Sequence, residues 1–140
     1  MGEKEKIVVN TTAADELEFF FAILENDRGS RNLYKNVMTD LTTTDSTPLY
    51  TVPDGKTAIL NSWRITNTNA LAAASSYVYT TNAAGTDFVW NSGTIAGYTT
   101  VQTVSRPPVM REKEKIKIKA GTANYLHSVA SLLEITITEV

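Results

Sequence analysis

The residues able to do chemistry are few and scattered. The chain has no cysteine and a single histidine, His127. Without thiols there is no nucleophilic cysteine, disulfide, iron–sulfur cluster or cysteine-ligated zinc. One imidazole leaves at most one group for acid–base work near neutral pH. No Asp-x-His or His-x-His spacing surrounds His127 to orient it or to begin a metal ligand set. It is expected at a strand end or a subunit contact. Asp40, Asp45, Asp54 and Asp87 lie apart in turn-like stretches, whereas calcium takes about six to eight oxygens from closely spaced acids. Asp40 to Asp45, with Thr42, Thr43 and Thr44 between, is the one stretch where such a site would form. A glycosidase-like carboxylate pair is assembled by folding and escapes spacing rules, but one small domain offers no second wall for a cleft. The 7 glycines are all isolated, so no phosphate-cradling loop is present. No catalytic residue, metal ligand or cofactor-binding residue is assigned, no cofactor is expected, and the expectation is a protein that is not an enzyme.

Two side-chain groups remain for binding. Lys113, Lys115, Lys117 and Lys119 alternate with other residues and form one exposed stripe if the segment is a strand, diluted by Glu112 and Glu114. No aromatic residue is interleaved with them along the chain, so the stripe reads as a solvated face that discourages edge-to-edge association rather than as a nucleic-acid surface. The aromatic set Tyr77, Tyr79, Phe88, Trp90 and Tyr98 is the second group. Such rings form sugar platforms, but in hairpins they more commonly pack in cores and interfaces. Tyr77, Tyr79 and Trp90 are the candidates here for contact with a partner.

The elements that must carry these groups fall into two parts. Thr12-Ala13-Ala14-Asp15 resembles a helix start, with Asp15, Glu16 and Glu18 in the first turns. Leu17, Phe20, Phe21 and Leu24 follow at i, i+3, i+4 and i+7, which predicts a helix with one apolar face ending at Asn26 to Ser30. A strand over Glu18 to Leu24 is the competing reading. These four side chains are further candidates for partner contact.

From Tyr34 onward the pattern is β. Leu49-Tyr50-Thr51-Val52, the turn Pro53-Asp54-Gly55 and Lys56 to Thr66 read as a hairpin, with Ile59, Trp63 and Ile65 on one face. A second hairpin runs from Ser76 through Asn82-Ala83-Ala84-Gly85 to Trp90. Tyr98 to Val104, Lys115 to Ala120 and Leu126 to Thr138 follow, with Arg106-Pro107-Pro108 as an interruption. The 21 threonines fit this reading, being β-branched for strands and polar for their outer faces. The predicted fold is all-β: an antiparallel, jelly-roll-like sandwich of about seven or eight strands over 34–140, preceded by a helical arm over 1–33.

With 140 residues, 13 basic and 15 acidic side chains and a net charge of −2, the chain has the size of one domain and no broad field for nucleic acid or anionic membrane. Its most apolar stretch, Phe19 to Leu24, is too short to span a bilayer, and no secretory apolar region follows the first charges. Neither a nucleic-acid nor a membrane partner is expected.

The segments Tyr34 to Thr44 and Leu49-Tyr50-Thr51-Val52-Pro53-Asp54-Gly55-Lys56-Thr57-Ala58-Ile59-Leu60 resemble small β-sandwich virion proteins of tailed bacteriophages, and Leu126 to Ile135 resembles their closing strand. The resemblance covers residues 34–140; Asp54 stands where such proteins often have a small residue. It implies a non-enzymatic structural protein located in the virion and assembled in the host cytoplasm. The expected role is head decoration or cement, or else a neck, tail or fibre subunit with a host-surface or carbohydrate-binding β-sandwich. The implied partners are the major capsid protein or another virion protein, and the implied state is a homo-oligomer, with a trimer favoured.

Overall fold

The computed structural model describes residues 32–136, together with Val8. Within them the chain is all-β, in nine strands: β1 (Asn32–Asp40), β2 (Thr47–Thr51), β3 (Lys56–Asn67), β4 (Ala74–Thr81), β5 (Asp87–Ile95), β6 (Thr100–Gln102), β7 (Val109–Met110), β8 (Lys115–Ala120) and β9 (Leu126–Thr136). They form two antiparallel sheets. The first has the order β1-β9-β3-β6, with β7 also paired to β3; the second has the order β2-β8-β4-β5. The helix predicted around Leu17, Phe20, Phe21 and Leu24 lies outside the described residues.

Apolar alternation builds the core. Ile116 and Ile118 of β8, Val78 of β4, Trp63 and Ile65 of β3, and Ala130 and Leu132 of β9 are all fully buried in one cluster to which both sheets contribute. The lysines of β8 point the opposite way, as the period of two requires. The buried Trp63 indole donates to Ser128 Oγ at 2.8 Å, joining β3 to β9 inside the core.

Four details depart from the sequence reading. The Pro53-Asp54-Gly55 turn forms, with Gly55 at φ 72° and Lys56 N–H donating to the Pro53 carbonyl. It does not close a hairpin: β2 pairs with β8 and β3 pairs with β9, so the turn carries the chain from one sheet to the other. Val52 is held away from β3 by backbone bonds to Lys113 and Glu114. Ile59 does not share a face with Trp63 and Ile65. A bulge between Leu60 and Ser62 inserts Asn61 and inverts the phase of β3, so Ala58 and Leu60 point inward before it and Trp63 and Ile65 after it. Finally, the strand expected over Tyr98 to Val104 is only Thr100–Gln102. Tyr98 sits in the preceding turn at φ 53°, and Lys113 occupies a turn at φ 66° rather than the β8 stripe.

Candidate functional site

The candidate aromatic residues divide between two surfaces. Tyr77 and Tyr79 lie on the outer face of the β2-β8-β4-β5 sheet. Tyr77 is directly opposite Lys119 on one side and Ser92 on the other; Tyr79 is opposite Lys117 and Val89. Cross-strand partners point to the same face, so lysine and tyrosine alternate across the strands although they do not along the chain. The expectation that no aromatic is interleaved with the lysines fails for this reason. Asp87 completes the face: Lys117 Nζ lies 2.8 Å from its carboxylate, and Thr81 Oγ1 donates to it at 2.6 Å. These hydrogen bonds, that from Lys117 first, hold the Asp87 carboxyl below the usual carboxylate range.

Trp90 belongs to a different place. β5 is an edge strand whose residues are exposed from Asp87 to Thr94. A register shift between Val78 and Tyr79 leaves Trp90 as the extra residue of β5, and its indole donates to Thr80 Oγ1 at 2.6 Å. With Phe88, Pro108, Val109 and Met110 it lines a small cleft of about 110 Å³ where β5 and β7, the edges of the two sheets, come together. Tyr77, Tyr79, Phe88, Trp90 and Tyr98 therefore do not form one platform. Leu17, Phe20, Phe21 and Leu24 lie outside the described residues.

The outer face of the other sheet is apolar to a degree that alternation along single strands did not reveal. One rung aligns Tyr34, Leu133, Ile59 and Val109 across β1, β9, β3 and β7. Another places Met38 beside Val129. Tyr34, Met38, Val109 and Val129 are 41 to 64% exposed. The polar rung Asn36–Ser131–Ser62 lies between these two groups, and Arg64 follows Val129 on the second rung, so the outer face carries two apolar patches rather than one apolar surface. The outward phase of Ile59, produced by the bulge at Asn61, completes the row.

His127 has a partner that local spacing could not disclose. Its Nε2 lies 3.3 Å from Asp40 Oδ1, across the β1–β9 ladder, with both side chains exposed. Thr66 follows on the same rung, but its hydroxyl bonds Thr100 Oγ1 at 2.8 Å. The row is a flat exposed surface. Asp40 is engaged there, away from the Asp45 end of its loop, and no group of three or more acidic or histidine side chains gathers anywhere among the described residues.

The remaining cluster of charge is internal. Glu134 is 1% exposed, and its Oε1 is approached by Lys35 Nζ at 2.9 Å and Lys56 Nζ at 3.4 Å. The Lys35 ammonium also lies 5.9 Å from the Tyr50 ring centre. Burial first, then the charge of Glu134 and a hydrogen bond to it, push the Tyr50 phenol well above its ordinary pKa. That contact falls short of good geometry, so the Tyr50 hydroxyl and Glu134 Oε2 are left without a well-formed partner. The four residues come from β1, β2, β3 and β9 and tie both sheets together.

No family model matches the chain, and no curated protein matches it. Among solved structures, it is similar to a subunit of Bacillus endospore appendages, which are described as disulfide-linked pili. The identity is 10%, the TM-score 0.49, and the match covers 84% of this chain and 100% of that one. It is also similar to a chain in the structure of infectious bursal disease virus, Gt strain, at 10% identity and a TM-score of 0.28, covering 83% of this chain and 38% of the viral one.

Proposed function

We propose that this chain is a non-enzymatic structural subunit of a large protein assembly, and in its most specific form a decoration or cement protein of a bacteriophage head. The observation that carries the reading is the pair of exposed apolar patches on the outer face of the β1-β9-β3-β6 sheet. A sheet of one small domain needs one apolar face for its core, and the Tyr34–Leu133–Ile59–Val109 row and the Met38–Val129 pair place further apolar side chains on the opposite face, on either side of the Asn36–Ser131–Ser62 rung. Large apolar side chains exposed in groups of this kind support a site of association. The strand orders β1-β9-β3-β6 and β2-β8-β4-β5 support a double-sheet jelly roll, in which successive strands cross between sheets. A rigid sandwich with apolar patches on an outer face suits a lattice contact, and symmetric engagement of several copies would multiply a modest affinity per subunit.

The test is location within purified particles. The expected result is a chain that co-sediments with intact heads, and heads that lose heat resistance when it is stripped away. Met38→Lys and Val109→Lys, which charge the two apolar patches, should abolish rebinding while the variants melt cooperatively. Recovery only from tail fractions would sink the cement reading and favour the alternative, a neck, tail or fibre subunit. Deletion of residues 1–30 is expected to leave the β domain folded while weakening assembly. Sedimentation of the free protein tests the proposed trimer.

A further inference from the structure

The outer face of the β2-β8-β4-β5 sheet has a composition that the assembly reading does not use. Its rungs are Lys119–Tyr77–Ser92, Lys117–Tyr79–Val89 and Lys115–Thr81–Asp87, side by side on three adjacent strands. Residues two apart on one strand are about 7 Å apart and neighbouring strands about 5 Å apart. The face is therefore a grid of cations, ring faces and hydroxyls rather than a bare lysine stripe. Lys115 and Lys119 are exposed, and Tyr77 is 40% exposed. Lys117 is held by Asp87 of the neighbouring rung, so the face presents an ion pair between the two rungs.

We propose that this face binds an acidic polysaccharide. Sugar rings stack on Tyr77 and Tyr79 through their apolar C–H faces, as aromatic surfaces with a polar rim favour. The sugar carboxylates meet the Lys119 and Lys115 ammoniums, and the hydroxyls bond to Ser92 and the Asp87 carboxylate. Charge complementarity selects an anion. The Asp87 carboxylate, its charge paired with Lys117, adds an acceptor for sugar hydroxyls. The chain's net charge of −2 supplies no wider field for nucleic acid. A polymer whose residues each carry hydroxyls and apolar C–H faces beside one carboxylate fits the mixture of lysines, tyrosine rings and a hydroxyl acceptor on this face. The site is separate from the apolar patches of the other sheet and does not depend on which assembly the chain joins.

Biolayer interferometry with the full chain immobilised tests this, using polygalacturonate, neutral dextran and a 30-nucleotide oligothymidylate as probes. Polygalacturonate should bind, weaken as NaCl rises from about 50 to 300 mM, and lose about tenfold or more in Tyr77→Ala and in Lys119→Gln. Lys119→Arg should stay within about threefold of the parent, because the position needs a cation. Circular dichroism melts confirm that each variant is folded; both side chains point outward, and neither enters the core. Failure of polygalacturonate to bind, binding indifferent to these variants, or equal binding of dextran would overturn the proposal. Oligothymidylate binding more tightly than polygalacturonate and lost in the same variants would overturn it too, assigning the face to single-stranded nucleic acid. Head association measured in parallel separates this outcome from that of the assembly reading.

Discussion

Glu134 provides the sharpest energetic test of the fold. Its carboxylate is buried with one oxygen shared by two ammoniums and the other without a well-formed partner. Both lysines are about one-third exposed, at 37% for Lys35 and 31% for Lys56. The desolvation cost therefore falls on the carboxylate, while each ammonium can turn to water if released. Removing the partners and removing the acid should then differ greatly. Lys35→Met with Lys56→Met strands a buried anion and should cost about 3–5 kcal/mol, whereas Glu134→Leu, of similar volume, should lie within about 1 kcal/mol of the parent. Either lysine substitution alone should cost about 1 kcal/mol, because the other ammonium still reaches Oε1. Urea denaturation followed by tryptophan fluorescence, with Trp63 in the core as reporter, measures all four variants at constant m-value. A Glu134→Leu variant less stable than the double lysine variant would refute the reasoning. It would mean that the ionic cluster contributes net stability beyond what hydrophobic packing supplies in its place.

Other expectations follow from single contacts. Ser128→Ala leaves the buried Trp63 N–H without its acceptor and should cost about 1–3 kcal/mol in the same urea assay. At Gly97 an added Cβ would stand 2.6 Å from the Asn69 carbonyl oxygen, while at Gly93 it would meet nothing within 4 Å. Gly97→Ala should therefore destabilise by about 1–3 kcal/mol and Gly93→Ala by little. The lowered pKa of Asp87 means that its contribution is complete above the ordinary carboxylate range and is lost as pH falls through the lowered folded value. Carboxyl NMR titration should find Asp87 below its usual midpoint, and Lys117→Met should move it upward. The raised pKa of Tyr50 has the opposite sense. Stability is unaffected below about pH 10 and declines as pH rises above it, because the unfolded phenol ionises while the folded one does not. Tyr50→Phe should remove that part of the alkaline decline, measured as urea midpoint against pH.

Much of the β framework was legible because alternation is a local signal. Lys115 to Ala120 shows it in six consecutive residues, and the Asn82 to Gly85 turn closes the β4–β5 hairpin with backbone bonds between Asn82, Gly85 and Thr86. What escaped was pairing. A proline-aspartate-glycine turn looks alike whether the flanking strands pair or part, so Pro53 to Gly55 did not reveal that β2 and β3 enter different sheets. The bulge at Asn61 is invisible in composition, yet it decides which face Ile59 occupies. The His127–Asp40 contact, the lysine–tyrosine rungs and the Glu134 cluster all join residues distant in sequence. Tyr77, Tyr79 and Trp90 were visible in advance only as strand aromatics, and their division between two surfaces depended on register.

The position of β9 governs when this molecule can acquire its structure. This last described strand lies between β1 and β3, so the first described strand finds its partner only near the chain's end, as in the Ser131–Asn36 bond across 95 residues. During synthesis β1 and β3 must wait, with their ladder edges open, until Leu126 to Thr136 has left the ribosome. Such dominance of non-local pairing predicts folding in milliseconds to seconds rather than microseconds. It also predicts that truncation just before β9 yields aggregation instead of a smaller domain.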